Sequence, residues 1–343
     1  MATRDPNDFN NVVNFDTEVN SVERQYQLFN DSMFNMKPTA HNSVMMDFSK
    51  STHTLLPSVD RGSRASTYGS DDNSDTRIFG TAYFKHSDYI LPEDIENVRL
   101  VGTPDDVKTV EQATAEKIQK MRLLADQTDQ YLMSRAIYKG QCITPSGDVI
   151  VDIFQEFGLT QETFSMGLDT ATTDVLSKIR ELKRKVRDGL ENGGFYQGMM
   201  IDVDPIFFDK LITHDSVKEA YKYFANNRNQ QGGLQPLRDT SDTFTHGGIT
   251  FRAVDGSFSL PTGTTEKIIE DGTGHTIPMA NDVFRGYYGS SNKLNRVNGK
   301  GGVNMFYMWQ YPDPKDESYE MQMEMSRLYL PTKPKSLIKL TAA

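Results

Sequence analysis

Apolar residues recur at helical spacing in two long stretches of the chain. The first begins at Thr103, a candidate N-cap followed by Pro104, and runs to a stop at Gly140. Its stripe consists of Val107, Val110, Thr114, Ile118, Met121, Ala125, Thr128 and Leu132. The predicted helix is about 50 Å long, several times the average length, so we expect it to act as a structural spine. A second stripe predicts a helix over 173–191, with a strongly basic opposite face.

Residues with high β propensity fill much of the remaining sequence. Two such runs flank the turn at 145–147 and predict a hairpin. Over 195–226 a strand precedes a helix capped by Asp204, which indicates an α/β unit. Residues 319–331 predict a long strand with a bulge, because the apolar phase shifts between Met325 and Leu328. The final eight residues predict another short strand.

The first 92 residues have a different character. Residues 1–54 are polar with isolated aromatic side chains, which predicts an arm containing one short amphipathic helix capped at Thr17. The apolar face of that helix consists of Val19, Val22, Tyr26, Phe29 and Met33. Residues 55–92 predict a long two-stranded projection with a polar tip. A lone hairpin buries too little apolar surface to be stable, so we expect both segments to lie on another surface, such as a neighbouring subunit.

The amino-acid composition argues against several classes of protein. The chain has 343 residues, a net charge of -10 and only 37% hydrophobic residues, so its core is lean for its length. The acidic balance argues against general nucleic-acid binding, which depends on lysine and arginine. The lone Cys142 excludes an intrachain disulfide and suggests a reducing compartment. No run of 18 apolar residues occurs, so neither secretion nor membrane spanning is expected.

Candidate chemical motifs are weak. Asp202 and Asp204 resemble a divalent-metal pair, but Asp204 is already explained as a helix cap. The loop at 71–75 begins like a calcium loop and then departs from it, and 298–302 lacks the spacing of a phosphate loop. The six histidines lie far apart, and Cys142 is better explained as a core residue than as a nucleophile. We therefore expect no catalytic residues, cofactor or metal.

Four stretches, in this order, resemble the phage major capsid protein E family, which includes the head protein of phage lambda. The stretches are GTAYFKHSDYILPEDI, AIYKGQCITPSGDVIVDIFQEFGLTQ, MMIDVDPIFFDKLITHDSVKEAY and the segment from RGYYGSSNKLNR to ESYEMQMEMSRLYLPTKPKSLIKL. They span residues 80–343. No single stretch is specific to the family, but all four occur in the family's order along a chain of similar length.

The resemblance implies an α+β chain with the Hong Kong 97-type viral capsid fold. By that likeness, the chain has four parts: an N-terminal arm (1–54), an extended β-hairpin loop (55–92), a peripheral domain with the spine helix (93–193) completed by 305–343, and an axial domain (194–304). The family is not enzymatic, so it implies no catalytic residues.

The function implied is a major capsid protein whose hexamers and pentamers form an icosahedral shell around double-stranded viral DNA. It implies scaffolding and portal partners, a decoration protein in some relatives, no membrane, assembly in the host cytoplasm and a final place in the virion. Candidate inter-subunit ion pairs join basic and acidic residues of the extended loop, namely Arg61, Arg64, Arg77, Asp71, Asp72 and Asp75. Two alternatives stay open: a nanocompartment shell that holds a cargo protein, and a metal-dependent enzyme using Asp202 and Asp204.

Overall fold

The computed structural model describes residues 12–23, 27–49, 74–96, 109–190, 196–218, 242–280, 282–294, 296–299, 302–315 and 317–343. Its helices are α1 (Asp16–Ser21), α2 (Val110–Lys139), α3 (Ile153–Glu156), α4 (Val175–Gly189) and α5 (Pro205–Thr213). The first nine strands are β1 (Val13–Asn14), β2 (Asn35–Thr39), β3 (Ser43–Ser49), β4 (Ser74–Gly80), β5 (Ala82–Ile90), β6 (Gln141–Ile143), β7 (Val149–Asp152), β8 (Thr163–Ser165) and β9 (Gly198–Val203). The other nine are β10 (Thr243–His246), β11 (Ile249–Ala253), β12 (Ser257–Ser259), β13 (Thr265–Lys267), β14 (Thr273–Met279), β15 (Phe284–Gly289), β16 (Tyr307–Pro312), β17 (Tyr319–Pro331) and β18 (Lys339–Thr341).

The chain divides into two compact units. The first unit comprises Met1–Val44, Gly80–Met133 and Arg285–Tyr329. The second comprises Met45–Phe79, Ser134–Phe284 and Leu330–Ala343. Each unit therefore draws on three separate parts of the sequence, and each has its own hydrophobic core.

The first unit is built around strand β17. Its sheet has the strand order β1-β16-β17-β15-β2, and β5 also pairs with β17. Every residue from Met321 to Pro331 is buried, so this strand is covered on both faces. That burial explains why apolar and polar residues stop alternating near Met325, because a strand buried on both faces carries apolar residues on both. Strand β17 pairs with β5 in unbroken register from Tyr319 to Arg327, so no bulge interrupts that pairing.

The described part of the N-terminal segment folds into the first unit. Strand β1 pairs with β16, and β2 pairs with β15. Helix α1 ends at Ser21, so the helix predicted to continue to Met33 is wrong. Val19 and Phe29 are buried within this unit. Their apolar side chains therefore do not need the neighbouring surface that the sequence suggested.

The predicted spine helix is present as α2, with 30 residues and a length of about 45 Å. It begins at Val110, and the predicted cap at Thr103 lies outside the described residues. Thr109 and Gln112 form the capping box, since the Thr109 Oγ1 accepts from the Gln112 N–H and the Gln112 Oε1 accepts from the Thr109 N–H. Every residue from Asp129 to Tyr138 is buried, which a one-faced stripe does not predict.

Buried charges join α2 to β17. The Arg327 Nε donates to the Asp129 Oδ1 over 2.9 Å, and both side chains are only 1% exposed. The Arg327 Nη1 also donates to the Met305 carbonyl over 2.7 Å. The ring of Phe306 lies between two guanidinium groups, with its centroid 4.6 Å from Arg327 and 3.9 Å from Arg122. These contacts fix the helix against the central strand of the sheet.

The second unit contains a mixed sheet with the strand order β10-β11-β9-β14-β18-β8. Helix α4 packs Val175, Ile179, Leu182 and Val186 into this unit's core, and Asp174 caps it by accepting from the N–H groups of Leu176 and Ser177. Helix α5 begins with Asp204 as its cap and Pro205 in its first turn. The predictions for α4, α5 and the 145–147 hairpin are confirmed. The predicted last strand is also confirmed, as β18.

The predicted two-stranded projection differs in its pairing. Strand β4 pairs with β3, which precedes the predicted boundary at residue 55, and β5 joins the sheet of the first unit. Residues 50–73, which include half of the predicted loop, lie outside the described ranges. Among the helices that the structure describes, none has the length and apolar character to cross a membrane.

We predict that breaking the buried Arg327–Asp129 pair on one side strongly destabilises the first unit. Arg327→Met removes the cation and leaves a buried carboxylate, which should lower the free energy of unfolding by about 3–5 kcal/mol. The double variant Arg327→Met/Asp129→Leu should lose less than either single variant, because no charge then stays buried. Urea unfolding followed by circular dichroism measures both.

The matched control is Lys210→Ala. It removes an ion pair with Asp169 that is exposed to solvent, so its effect should stay below about 1 kcal/mol. An Arg327→Met effect as small as this control would contradict the assignment.

Candidate functional site

The two-stranded ribbon of β3 and β4 has two different faces. Side chains alternate along a strand, so Met45 and Ile78 point away from the side occupied by Met46 and Phe79. Met46 and Phe79 are buried, whereas Met45 is 67% exposed and Ile78 is 65% exposed. The outer face of the ribbon therefore presents apolar side chains to solvent. We call Met45 and Ile78 the outer ribbon face.

Arg77 lies on β4 next to this face, and its partners lie in the second unit. Its Nη1 is 2.7 Å from the Glu156 carboxylate, and its guanidinium lies 4.8 Å from the centroid of the Phe157 ring. It also donates to the Glu156 carbonyl. These contacts hold the ribbon against α3 of the same chain.

The other predicted contact residues are not brought together in the described structure. Arg61, Arg64, Asp71 and Asp72 lie outside the described residues, and Asp75 lies in β4 without a described side chain. The assignment of all six residues to inter-subunit contacts stays a prediction. The candidate calcium loop at 71–75 likewise lies outside the described side chains.

Asp202 and Asp204 are occupied by protein partners. Asp202 is fully buried and accepts from the Tyr138 hydroxyl over 2.7 Å. Arg252 binds both Asp202 oxygens, at 2.8 and 2.6 Å. Asp204 caps α5 through the Ile206 N–H and also accepts from the Gly272 N–H, both over 3.0 Å. The cap interpretation of Asp204 is confirmed, and within the described ranges no three acidic, histidine or cysteine side chains are grouped as metal ligands.

His275 lies in the second unit on β14 and stacks on Tyr138, with ring centroids 4.8 Å apart. Burial lowers the pKa of His275 to about 3, and the charge of Lys339 acts in the same direction. Lys339 also donates to Glu270 over 2.6 Å, and this bond lowers the pKa of that carboxyl. Lys139, Lys339 and His275 line a polar pocket of about 450 Å³. A neutral imidazole and paired charges make this a structural cluster.

The basic face of α4 is largely engaged within the second unit. Lys185 pairs with Glu162, and the Lys183 ammonium donates to the Gly247 carbonyl. The guanidinium of Arg187 lies 4.8 Å from the Tyr196 ring centroid. Cys142 is fully buried, as the core interpretation predicts. These cations of α4 therefore support the fold of the second unit.

Sequence reasoning missed two buried carboxylates of the first unit. Glu324 is 2% exposed and accepts from the Ser291 hydroxyl. Asp16 is 6% exposed and accepts from the Met308 N–H over 2.9 Å. Burial and the charge of Glu324 raise the pKa of Tyr83. The hydrogen-bond partners of Glu324 and Asp16 lie far away in sequence, so local sequence patterns could not have identified these two carboxylates.

A comparison with protein-family models matches residues 11–342 to the model of phage major capsid protein E. Two curated relatives are each called a major capsid protein. The relative from Salmonella phage Felix O1 is 27% identical over 95% of this chain and 94% of its own. The relative from Pseudomonas phage KPP10 is 28% identical over 91% of this chain and 90% of its own.

Two solved structures share the fold. A prophage capsid protein from E. coli CFT073 aligns with a TM-score of 0.55 and 13% identity, over 91% of this chain and 92% of that chain. The capsid of cyanophage P-SCSP1u aligns with a TM-score of 0.50 and 11% identity, over 94% of this chain and 90% of that chain. At such low identity these structures establish the architecture only.

We predict that His275 makes stability depend on pH. The unfolded chain takes up a proton near the ordinary pKa of 6.5, and the folded chain takes it up only near 3, so stability falls as the pH drops below 6.5. Between pH 7 and pH 5 the loss should reach up to about 2 kcal/mol. Urea unfolding at both pH values should show a smaller difference for His275→Gln than for the parent chain. An identical difference in the two proteins would contradict the assignment.

Proposed function

The chain belongs to the phage major capsid protein E family, and we propose that it forms hexamers and pentamers of an icosahedral shell through exposed contact surfaces held on a rigid subunit. It is a phage major capsid protein with the Hong Kong 97-type fold, so it assembles with copies of itself into the capsid of the virion. The observation that carries the proposal is the outer ribbon face, where Met45 and Ile78 are exposed on strands that Arg77 holds in place.

An exposed apolar face on a fixed ribbon suits association between copies. Burying apolar area stabilises a contact by about 25 cal/mol per Å², and two large side chains supply only a modest contact. A closed shell repeats the same contact in every copy, so modest contacts add up to a stable assembly. Arg77 has its partners in its own chain, so we propose that it positions the ribbon within the subunit and that Ile78 makes the contact.

The charged residues of the extended loop form the second proposed contact. Arg61 and Arg64 carry positive charge, and Asp71 and Asp72 carry negative charge at the predicted tip. Opposite charges on two copies would guide the loop of one subunit onto its neighbour. Asp75 belongs to the same proposed set. Arg77, the sixth candidate, is bound within its own subunit, so we propose that it contributes only by positioning β4.

The remaining partners follow from the role of a capsid shell. We propose that the shell encloses double-stranded DNA without sequence-specific binding, because an acidic chain with a charge of -10 grips phosphates weakly. We propose assembly in the host cytoplasm with scaffolding and portal proteins, and a decoration protein as a further partner. The domain plan stays a proposal as well: arm 1–54, extended loop 55–92, peripheral domain 93–193 with 305–343, and axial domain 194–304.

The comparisons do not favour the two alternatives. The curated relatives are phage major capsid proteins, which favours a phage shell over a nanocompartment. The metal-dependent enzyme is not favoured because both candidate metal ligands already have protein partners. Asp202 binds Tyr138 and Arg252, and Asp204 caps α5. We propose that the protein acts as a structural component without catalysis.

Electron microscopy of the purified chain, alone and with other head proteins from the same phage, tests the proposed function. We expect rings of five and six subunits or closed round shells. A chain that stays monomeric under every condition would contradict the proposal.

We predict that Ile78→Asp blocks assembly without unfolding the subunit. The carboxylate places a charge in an apolar contact, which should raise the concentration needed for assembly at least tenfold (roughly 1.4 kcal/mol per tenfold). Sedimentation velocity measures assembly, and urea unfolding of the unassembled subunit should change little, because Ile78 is exposed. The conservative control Ile78→Val should assemble normally. Normal assembly of Ile78→Asp would contradict the role of the outer ribbon face.

We predict that charge reversal in the extended loop is repaired by the opposite reversal. Arg61→Glu/Arg64→Glu should impair assembly, and so should Asp71→Arg/Asp72→Arg. The four-fold variant restores opposite charges, so it should recover assembly at about 50 mM salt, where screening is weak. Sedimentation velocity measures the assembly of the three variants. Assembly that stays impaired in the four-fold variant would contradict the proposed ion pairs.

A further inference from the structure

The loop that follows β15 is held to the rest of the first unit by polar contacts at five of its described residues, namely Ser290, Ser291, Asn292, Lys293 and Arg296. The Ser290 hydroxyl donates to the Ala40 carbonyl over 3.0 Å. The Ser291 hydroxyl and the Asn292 N–H both donate to the buried carboxylate of Glu324. We call the described residues 290–294 and 296–299 the anchored loop. Its first three residues are thus fixed to the sheet before the chain reaches the tip.

The two described cations of the anchored loop turn toward the unit's own sheet. The Lys293 ammonium lies 5.3 Å from the Trp309 ring centroid and 4.9 Å from that of Tyr311, and it donates to the Gln322 Oε1. The Arg296 Nη2 is 2.9 Å from the Asp16 carboxylate. Both positive charges are therefore neutralised or covered within the subunit.

The far end of the loop is also constrained by packing. Gly299 has a positive φ of 72°, a conformation that favours glycine, and a Cβ there would lie 3.0 Å from the Cβ of Ala40. Glu324 and Asp16 are buried carboxylates whose desolvation is offset by these loop contacts. The fold thus uses two buried charges to keep this loop in one conformation.

Leu294 is the one large apolar side chain between the two anchored cations. It is 92% exposed, the highest value among the described large hydrophobic side chains, and Val297 of the same loop is 36% exposed. A single exposed leucine on a mobile loop would need no explanation. On a loop fixed on both sides of the tip, it is a preorganised apolar anchor, which loses little conformational entropy on binding.

We propose that Leu294 is an anchor residue for a second copy of this chain, a contact separate from the outer ribbon face. The inference rests on the proposed function, since it requires self-association. The occupant is a second copy, because members of this family assemble with copies of themselves into a shell. The described cations of the loop are paired within their own subunit, so the loop offers a neighbour its apolar side chain. Burying a leucine side chain that is exposed in the free subunit removes apolar area from water, which stabilises the contact.

Leu294→Cys tests the proposal in the full chain. Cys142 is fully buried, so the parent protein should label slowly with a maleimide and serves as the blank. In unassembled subunits the thiol introduced at position 294 should label at the rate of a free thiol. In particles formed by this variant alone and isolated by sedimentation, we expect labelling to slow at least tenfold. Equal rates in particles and free subunits would overturn the proposal.

A second pair of variants decides the case in which Leu294→Cys does not assemble. Leu294→Met should form particles, and Leu294→Asp should need at least tenfold more protein to form them. Urea unfolding of the unassembled subunits should give the same free energy of unfolding for both variants. Assembly of Leu294→Asp at the parent concentration would overturn the inference. Particles in which the introduced thiol stays reactive would refute this contact and leave the proposed function standing, whereas a parent chain that never assembles would refute both.

Discussion

The buried Arg327–Asp129 pair is the contact on which the first unit depends. Two ions removed from water are costly unless they stay paired, so the pair favours the observed arrangement of α2 against β17 over arrangements that separate the charges. Phe306 lies between Arg327 and Arg122 and fills the space beside the pair with aromatic area. A capsid subunit needs such a fixed frame, because contact surfaces meet their neighbours only if each copy presents them in the same place.

The contact surfaces are held to their frames by the same kind of polar contact. Arg77 holds the ribbon to α3 in the second unit, and Glu324 and Asp16 hold the anchored loop in the first unit. In both places charged side chains are satisfied inside the subunit, and apolar side chains, Ile78 and Leu294, are left in solvent. That distribution leaves these two apolar side chains available for contact with a neighbour. It is consistent with a subunit whose final surroundings are other copies of itself.

The sequence predicted those helices and turns that depend on interactions between residues a few positions apart. The stripe of α4, the Asp204–Pro205 start of α5 and the β6–β7 turn were all correct, because caps, periodicity and turn residues act over a few positions. The order of the quoted stretches also identified the family. Long-range pairing could not be predicted this way: β4 pairs with β3, and α2 buries Asp129 and Gln130, whose partners lie far away in sequence. Leu294 stands in a polar loop and gave no pattern at all.

Hydrogen exchange by mass spectrometry, on subunits before and after assembly, tests the central claim most directly. If assembly uses a fixed frame, amides of α2 and β17 should be highly protected and unchanged in both states. Amides of the β3–β4 ribbon and the anchored loop should gain protection in the assembled state alone. A large rise in the protection of α2 and β17 on assembly, with none in the ribbon or the loop, would contradict the account.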